Sequence, residues 1–195
     1  GKCTFDEGSQ LEQAEAVLAE RKGEVALVTI DIGGNDLLAC VRGGAQIDAA
    51  CVTKGVATVE KNLPTILERL RTAAGPEVPV LVLGYYNPWV AAQTLDQPVE
   101  GVEEAAQGYA DLSDAIEAAA DGAGATFVSL DEAFATNDTT PTEIGGRTIP
   151  ENAARVCTLT NLCTARDIHF SDEGAATVAR VLADAATTAG VGAAS

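Results

Sequence analysis

The residues best suited to chemistry are one histidine and one short glycine-rich turn. His169 is the only histidine of the chain. It sits in Arg166-Asp167-Ile168-His169-Phe170-Ser171-Asp172-Glu173-Gly174, just ahead of the last helical pattern. An imidazole held there, at the edge of a sheet, can serve as a general base, with Asp167 two residues back to orient its Nδ1–H. The plain alternative is a surface or satisfied core histidine. Gly33-Gly34-Asn35-Asp36 closes an apolar run. Its glycines let backbone approach a substrate closely, and an Asn35 amide can donate to a developing oxyanion. Asn35 and Gly33 are therefore the oxyanion-hole candidates; an ordinary strand-ending turn uses the same residue types. Tyr85, Tyr86 and Trp89 follow a strand's carboxyl end and line a substrate pocket or lie in the core beneath a loop. No serine reads as a nucleophile. Ser9, with Glu12 three residues on, is a helix cap; Ser113 falls inside a helix, Ser129 inside a strand, and Ser171 caps the last helix. One histidine and scattered carboxylates make no ligand cluster, so neither metal nor cofactor is expected.

The elements that must position these groups alternate along the chain. Leu11, Ala14, Val17 and Leu18 give one apolar helical face after Ser9. Val25 to Ile30 is an almost unbroken apolar run, suited to a strand covered on both faces. From Val52 to Ala74 apolar residues recur at helical spacing, with Pro64 a possible kink and Gly75-Pro76 a stop. Val78 to Leu83 reads as a second buried strand, Ala105 to Ala120 as a helix, and Thr126 to Leu130 as a third short strand. Asp131 to Pro150 is polar and rich in Thr and Gly, which predicts a long surface loop. A last helix follows Ser171. This order predicts an α/β fold, a central parallel sheet between helix layers in a three-layer α/β/α arrangement, with ligands at the carboxyl ends of the strands.

The chain has 195 residues, 47% of them apolar, with 29 acids against 12 bases for a net charge of −17. One domain of this length buries roughly 70% of its unfolded surface, so residues 1–195 are expected to form a single core. The acidity disfavours nucleic acid and anionic membrane surfaces as partners. No apolar run approaches the roughly 20 residues of a membrane span. Of five cysteines, Cys40 and Cys51 bracket a Gly-containing loop and Cys157 and Cys163 a short turn. Both spacings suit local disulfides in an oxidising compartment; five buried thiols are the alternative. Cys3 is then left over. The chain opens Gly1-Lys2-Cys3-Thr4 with no initiator Met and no signal peptide, and the expectation is a cut N-terminus whose missing segment partnered Cys3.

Gly33-Gly34-Asn35-Asp36 after a buried strand, together with His169 in a His-x-x-x-x-Gly setting before the last helix, resembles the third and fifth sequence blocks of the SGNH (GDSL-type) esterase and lipase family. Gly8-Ser9-Gln10-Leu11, Leu63-Pro64-Thr65-Ile66-Leu67, Tyr85-Tyr86-Asn87-Pro88-Trp89 and the Cys157 to Cys163 turn resemble its secreted actinomycete lipase and phospholipase branch. The resemblance covers essentially the whole chain. It implies a flavodoxin-like fold, a secreted protein, an acyl ester or lipid substrate, Asn35 as oxyanion donor and His169 as the base that deprotonates a serine. Two departures stand out. The family's acid usually lies three residues before the histidine, where this chain has Arg166; Asp167 orients His169 through its carboxylate, or its main-chain carbonyl does so and leaves a Ser-His dyad. The first block, a strand ending in Gly-Asp-Ser with the nucleophile, is absent, as is the second. The expectation is thus an ester hydrolase chain inactive by itself. A non-catalytic binding domain on the same scaffold is the competing expectation. A mononucleotide binder ranks last, for want of a glycine-rich phosphate loop.

Overall fold

The computed structural model describes residues 4–6, 8–42, 46–94 and 99–192; Cys3 and its expected partner lie outside the described residues. Helix α1 (Gln10–Glu20) starts where the Ser9 Oγ accepts the Glu12 N–H at 3.2 Å, the cap its sequence predicts. Strand β1 (Val28–Ile30) leads into the short helix α2 (Gly34–Leu38), and a two-residue antiparallel ladder, β2 (Val41–Arg42) with β3 (Gln46–Ile47), follows. Helix α3 (Ala49–Ala74) is capped by Asp48, whose side chain accepts the Cys51 N–H, and runs through Pro64 to Gly75. After β4 (Val80–Leu83) come a 3-10 segment (Pro88–Thr94), α4 (Val102–Ala123) and β5 (Thr126–Val128).

β1, β4 and β5 form one parallel sheet in the order β1-β4-β5, with Val28 opposite Val80 and Leu81 opposite Thr126. All four β4 side chains are buried, each contributing about 1.5–3 kcal/mol by leaving water. Strand alternation sends them to two cores. Val80 and Val82 join Val59, Leu63 and Leu67 of α3 and Leu112 and Ile116 of α4; Leu81 and Leu83 join Val128, Leu130 and Phe134 and residues from the C-terminal helices. β1 departs from expectation. The run from Val25 is not a strand covered on both faces: only Val28–Ile30 is strand and Thr29 is exposed, because among the described residues β1 pairs with β4 alone. A groove follows its outer edge, bordered by residues 28–32, Leu11 and Ala14 of α1, and Ile66 and Leu70 of α3.

The segment predicted to be one long surface loop, Asp131 to Pro150, instead holds a β-hairpin, β6 (Pro141–Ile144) with β7 (Arg147–Pro150). Gly145 and Gly146 both have positive φ, 58° and 77°, which a two-residue turn matched to strand twist requires. Helix α5 (Glu151–Leu159) begins at once, followed by the single turn α6 (Leu162–Ala165) and α7 (Asp172–Thr188). Ser171 caps α7, its Oγ accepting the Gly174 N–H at 3.1 Å.

Cys40 is disulfide-bonded to Cys51, and Cys157 to Cys163, across 11 and 6 residues respectively. Those four cysteines are therefore not reduced thiols. Each bridge removes unfolded-state freedom equivalent to roughly 2–3 kcal/mol.

Candidate active site

One cavity of about 250 Å³ lies at the carboxyl ends of the three strands, where an open parallel sheet is expected to bind ligands. Asp31 borders it just past β1, Leu83, Gly84, Tyr85 and Tyr86 at the end of β4, and Leu130 beyond β5. Gly34 and Asn35 reach it from the start of α2, and Ile168, His169 and Phe170 from the loop ahead of α7. Asn35 and His169, 134 positions apart in sequence, share this wall. They meet because parallel strands end on one rim.

The α2 turn is shaped by contact. At Gly33, φ is 117°, and an added Cβ would lie 3.2 Å from Leu112 and 3.3 Å from Val59. Gly33 is thus buried against the α3–α4 core, and Gly34, not Gly33, borders the cavity. A Cβ on Gly34 would come within 2.6 Å of the Tyr85 ring, so ring and turn are packed face to face. Burial raises the Tyr85 phenol well above its ordinary range, and the neighbouring Asp31 carboxylate adds to this. Burial does the same to Tyr86 and Tyr109. All three stay neutral hydrogen-bonding groups at any working pH.

His169 and Asp167 form a tight local pair. The Asp167 carboxylate accepts the His169 backbone N–H at 3.0 Å and the same oxygen engages the imidazole Nδ1. Of the two orienting groups left open by the sequence, the carboxylate is the one facing the ring. Nδ1 then carries the proton and Nε2 is free to accept one. The Asp167 carboxyl is held below its usual range, first by the backbone N–H of His169 and then by its ring. A lowered native value means the pair's stabilisation is present above about pH 4, the unfolded range, and fades as pH falls through the lower native value. We expect Asp167→Asn to lose stability relative to the parent at neutral pH, with the two melting curves converging in acid. A difference that grows on acidification would refute the assignment.

Of the three aromatic candidates, Tyr85 and Tyr86 border the cavity. Trp89 does not; it packs half-buried against the α3–α4 core. The Tyr86 hydroxyl is already used, donating to the Ile168 carbonyl, and its ring stacks on Phe134 with centroids 4.6 Å apart. No described serine borders the cavity. Ser9 and Ser171 are caps, Ser113 lies within α4, and Ser129, one residue past β5 rather than inside it, accepts the Asp131 N–H at 3.0 Å. Among the described residues no group of three or more His, Cys, Asp or Glu side chains could hold a metal ion, and no helix is long and apolar enough to cross a membrane. Sequence reasoning missed Asp31 and Tyr109. The signal for Asp31 was its place directly after a strand's carboxyl end; Tyr109 is buried on α4 and carried none.

An imidazole–carboxylate pair and a carboxamide thus stand at the carboxyl rim of an α/β sheet. The sequence model of the GDSL-like lipase/acylhydrolase family matches residues 1–177, and the chain belongs to that family. Membership supports hydrolysis of the esterase or lipase type on a small ester substrate. No curated protein matches the chain.

Proposed function

We propose that this chain is a single-domain, three-layer α/β/α scaffold that supplies the base and an oxyanion donor of a secreted serine-type carboxylic ester hydrolase, and that the attacking serine is not among its 195 residues. The single observation that carries this is the cavity shared by Asn35 and His169 with no serine on its described wall. His169 takes the serine proton at Nε2 and returns it to the leaving alcohol, Asp167 holds the ring, and the Asn35 amide donates to the oxyanion of the tetrahedral intermediate. Tyr85, Tyr86 and the apolar Leu38, Leu83 and Leu130 surround the acyl group of a lipid or simple ester, as in the actinomycete lipase and phospholipase branch. Two disulfides are consistent with an oxidising, extracellular setting.

The open edge of β1 is where a strand bearing the serine fits. The Val28 N–H donates to the Pro79 carbonyl at 3.0 Å, so the backbone groups of Thr29, next along, turn to the outer edge. Asp31 borders both the groove along that edge and the cavity. A parallel strand laid there delivers its carboxyl end to the cavity mouth. With a p-nitrophenyl acyl ester, this chain alone should turn over at the buffer rate, and adding an upstream segment with a serine after its strand should restore activity. Turnover well above buffer from the chain alone, persisting in Ser9→Ala, overturns the missing-nucleophile reading. Binding of the ester with no turnover in the completed chain points instead to a non-catalytic binding domain.

A further inference from the structure

The imidazole side chain of His169 is 84% exposed, so packing does little to fix the ring. Its position depends on its backbone and on Asp167. That backbone is unusually well held. The Asn161 N–H donates to the His169 carbonyl at 3.0 Å, and the Asn161 amide donates to the Phe170 carbonyl at 3.1 Å and reaches the His169 carbonyl at 3.4 Å. Thr160 and Phe170 form an antiparallel bridge, and the Ser171 N–H donates to the Leu159 carbonyl at 3.0 Å. With Tyr86 on the Ile168 carbonyl, three successive carbonyls, 168 to 170, each have a fixed donor.

Asn161 itself sits in the turn closed by the Cys157–Cys163 disulfide. The Thr94 hydroxyl lies 3.6 and 3.7 Å from the two sulfurs, and the Thr94 carbonyl accepts from Arg147 at 3.1 Å. The bridge thus packs against the 3-10 segment, whose Thr94 is in turn bonded to β7. Reduction would remove the covalent closure of the turn that carries Asn161.

We propose that Asn161 is a positioning residue for His169, and that the Cys157–Cys163 disulfide serves the base by keeping Asn161 in register. This rests on His169 being the base. A base misplaced by about 1 Å loses on the order of 100-fold in rate; loss of one of several holding bonds should cost less, roughly tenfold. The effect should fall on kcat, because Asn161 and the disulfide do not border the cavity, and Tyr86→Phe keeps the ring that does while removing only the hydroxyl bonded to the Ile168 carbonyl.

The test has two readouts. With histidine labelled by nitrogen-15, the sole imidazole of the whole chain reports its own tautomer without any turnover. The parent should show neutral His169 as one species protonated at Nδ1. Asn161→Ala, Tyr86→Phe and the paired replacement Cys157→Ser with Cys163→Ser should each admit the tautomer protonated at Nε2 while circular dichroism shows an intact fold. In the chain completed with its serine segment, the same variants should lose roughly tenfold in kcat, with KM within about twofold. A folded Asn161→Ala variant with parental tautomer and parental kcat overturns the proposal. If Asn161→Ala does not fold, Tyr86→Phe and the cysteine pair decide by the same criteria. If the completed parent shows no turnover but the tautomer responds as stated, the hydrolase reading fails and the clamp stands.

Discussion

In the chain completed with its serine, His169→Ala lowers kcat by about 10⁴-fold and leaves KM nearly unchanged. A positioned general base contributes about 10²–10⁴-fold, and in the proposed mechanism one imidazole serves both halves of the reaction, taking the serine proton and returning it to the alcohol. The 195 residues hold no second histidine to substitute. In this variant the nearest carboxylate, Asp167, still accepts the backbone N–H of residue 169, the largest cause of its lowered pKa, so it remains a poor base near neutrality. Activity should therefore fall to whatever the oxyanion donors and binding provide. Asn35→Ala should cost less, about 10²–10³-fold, the measured scale for one oxyanion donor, again in kcat. Steady-state assays on a p-nitrophenyl ester check both. A His169→Ala enzyme within tenfold of the parent would place the base elsewhere, and the meeting of residues 35 and 169 in one cavity would then need another explanation.

How much of this was legible depends on whether a signal is local. The Gly33-Gly34-Asn35 turn and His169 announced themselves because each sits at an element boundary, and a parallel sheet brings such boundaries to one rim. β4 was legible because a strand buried on both faces reads as an unbroken apolar run. β1 has a similar run, yet nothing described covers its outer edge, and sequence cannot say which neighbour a strand has. The β6–β7 hairpin carries little sequence signal because its residues are only exposed or half-buried and β7 does not alternate; Gly145-Gly146 is the one local mark of its turn. The aromatic trio divided by tertiary packing: Tyr85 and Tyr86 follow β4 directly, whereas Trp89 lies a turn further on and rotates into the core. Asn161 carried no signal, since its role consists of bonds to carbonyls 8 and 9 residues away.

Gly174→Ala should destabilise the protein by at least about 3 kcal/mol, the upper range for forced overpacking. In an exposed helix the same change favours folding by about 1 kcal/mol through helix propensity, so the contact decides the sign. A Cβ on Gly174 would lie 1.8 Å from the Leu159 carbonyl oxygen and 2.8 Å from its carbon. At Gly34 and Gly108 the nearest atoms belong to the side chains of Tyr85 and Val52. At Gly174 the obstacle is backbone, and α7 must move off the end of α5. Leu159 carries the carbonyl that accepts Ser171 and stands two residues before Asn161, so the displacement passes straight into the segment holding His169. For a chain of this length, 3 kcal/mol corresponds to a Tm lower by roughly 6–12 °C. The His169 tautomer should become mixed even where the variant remains folded. A Tm equal to or above the parent's would mean that α5 and α7 part cheaply, and that the glycine five residues after the histidine is there for some reason other than close packing.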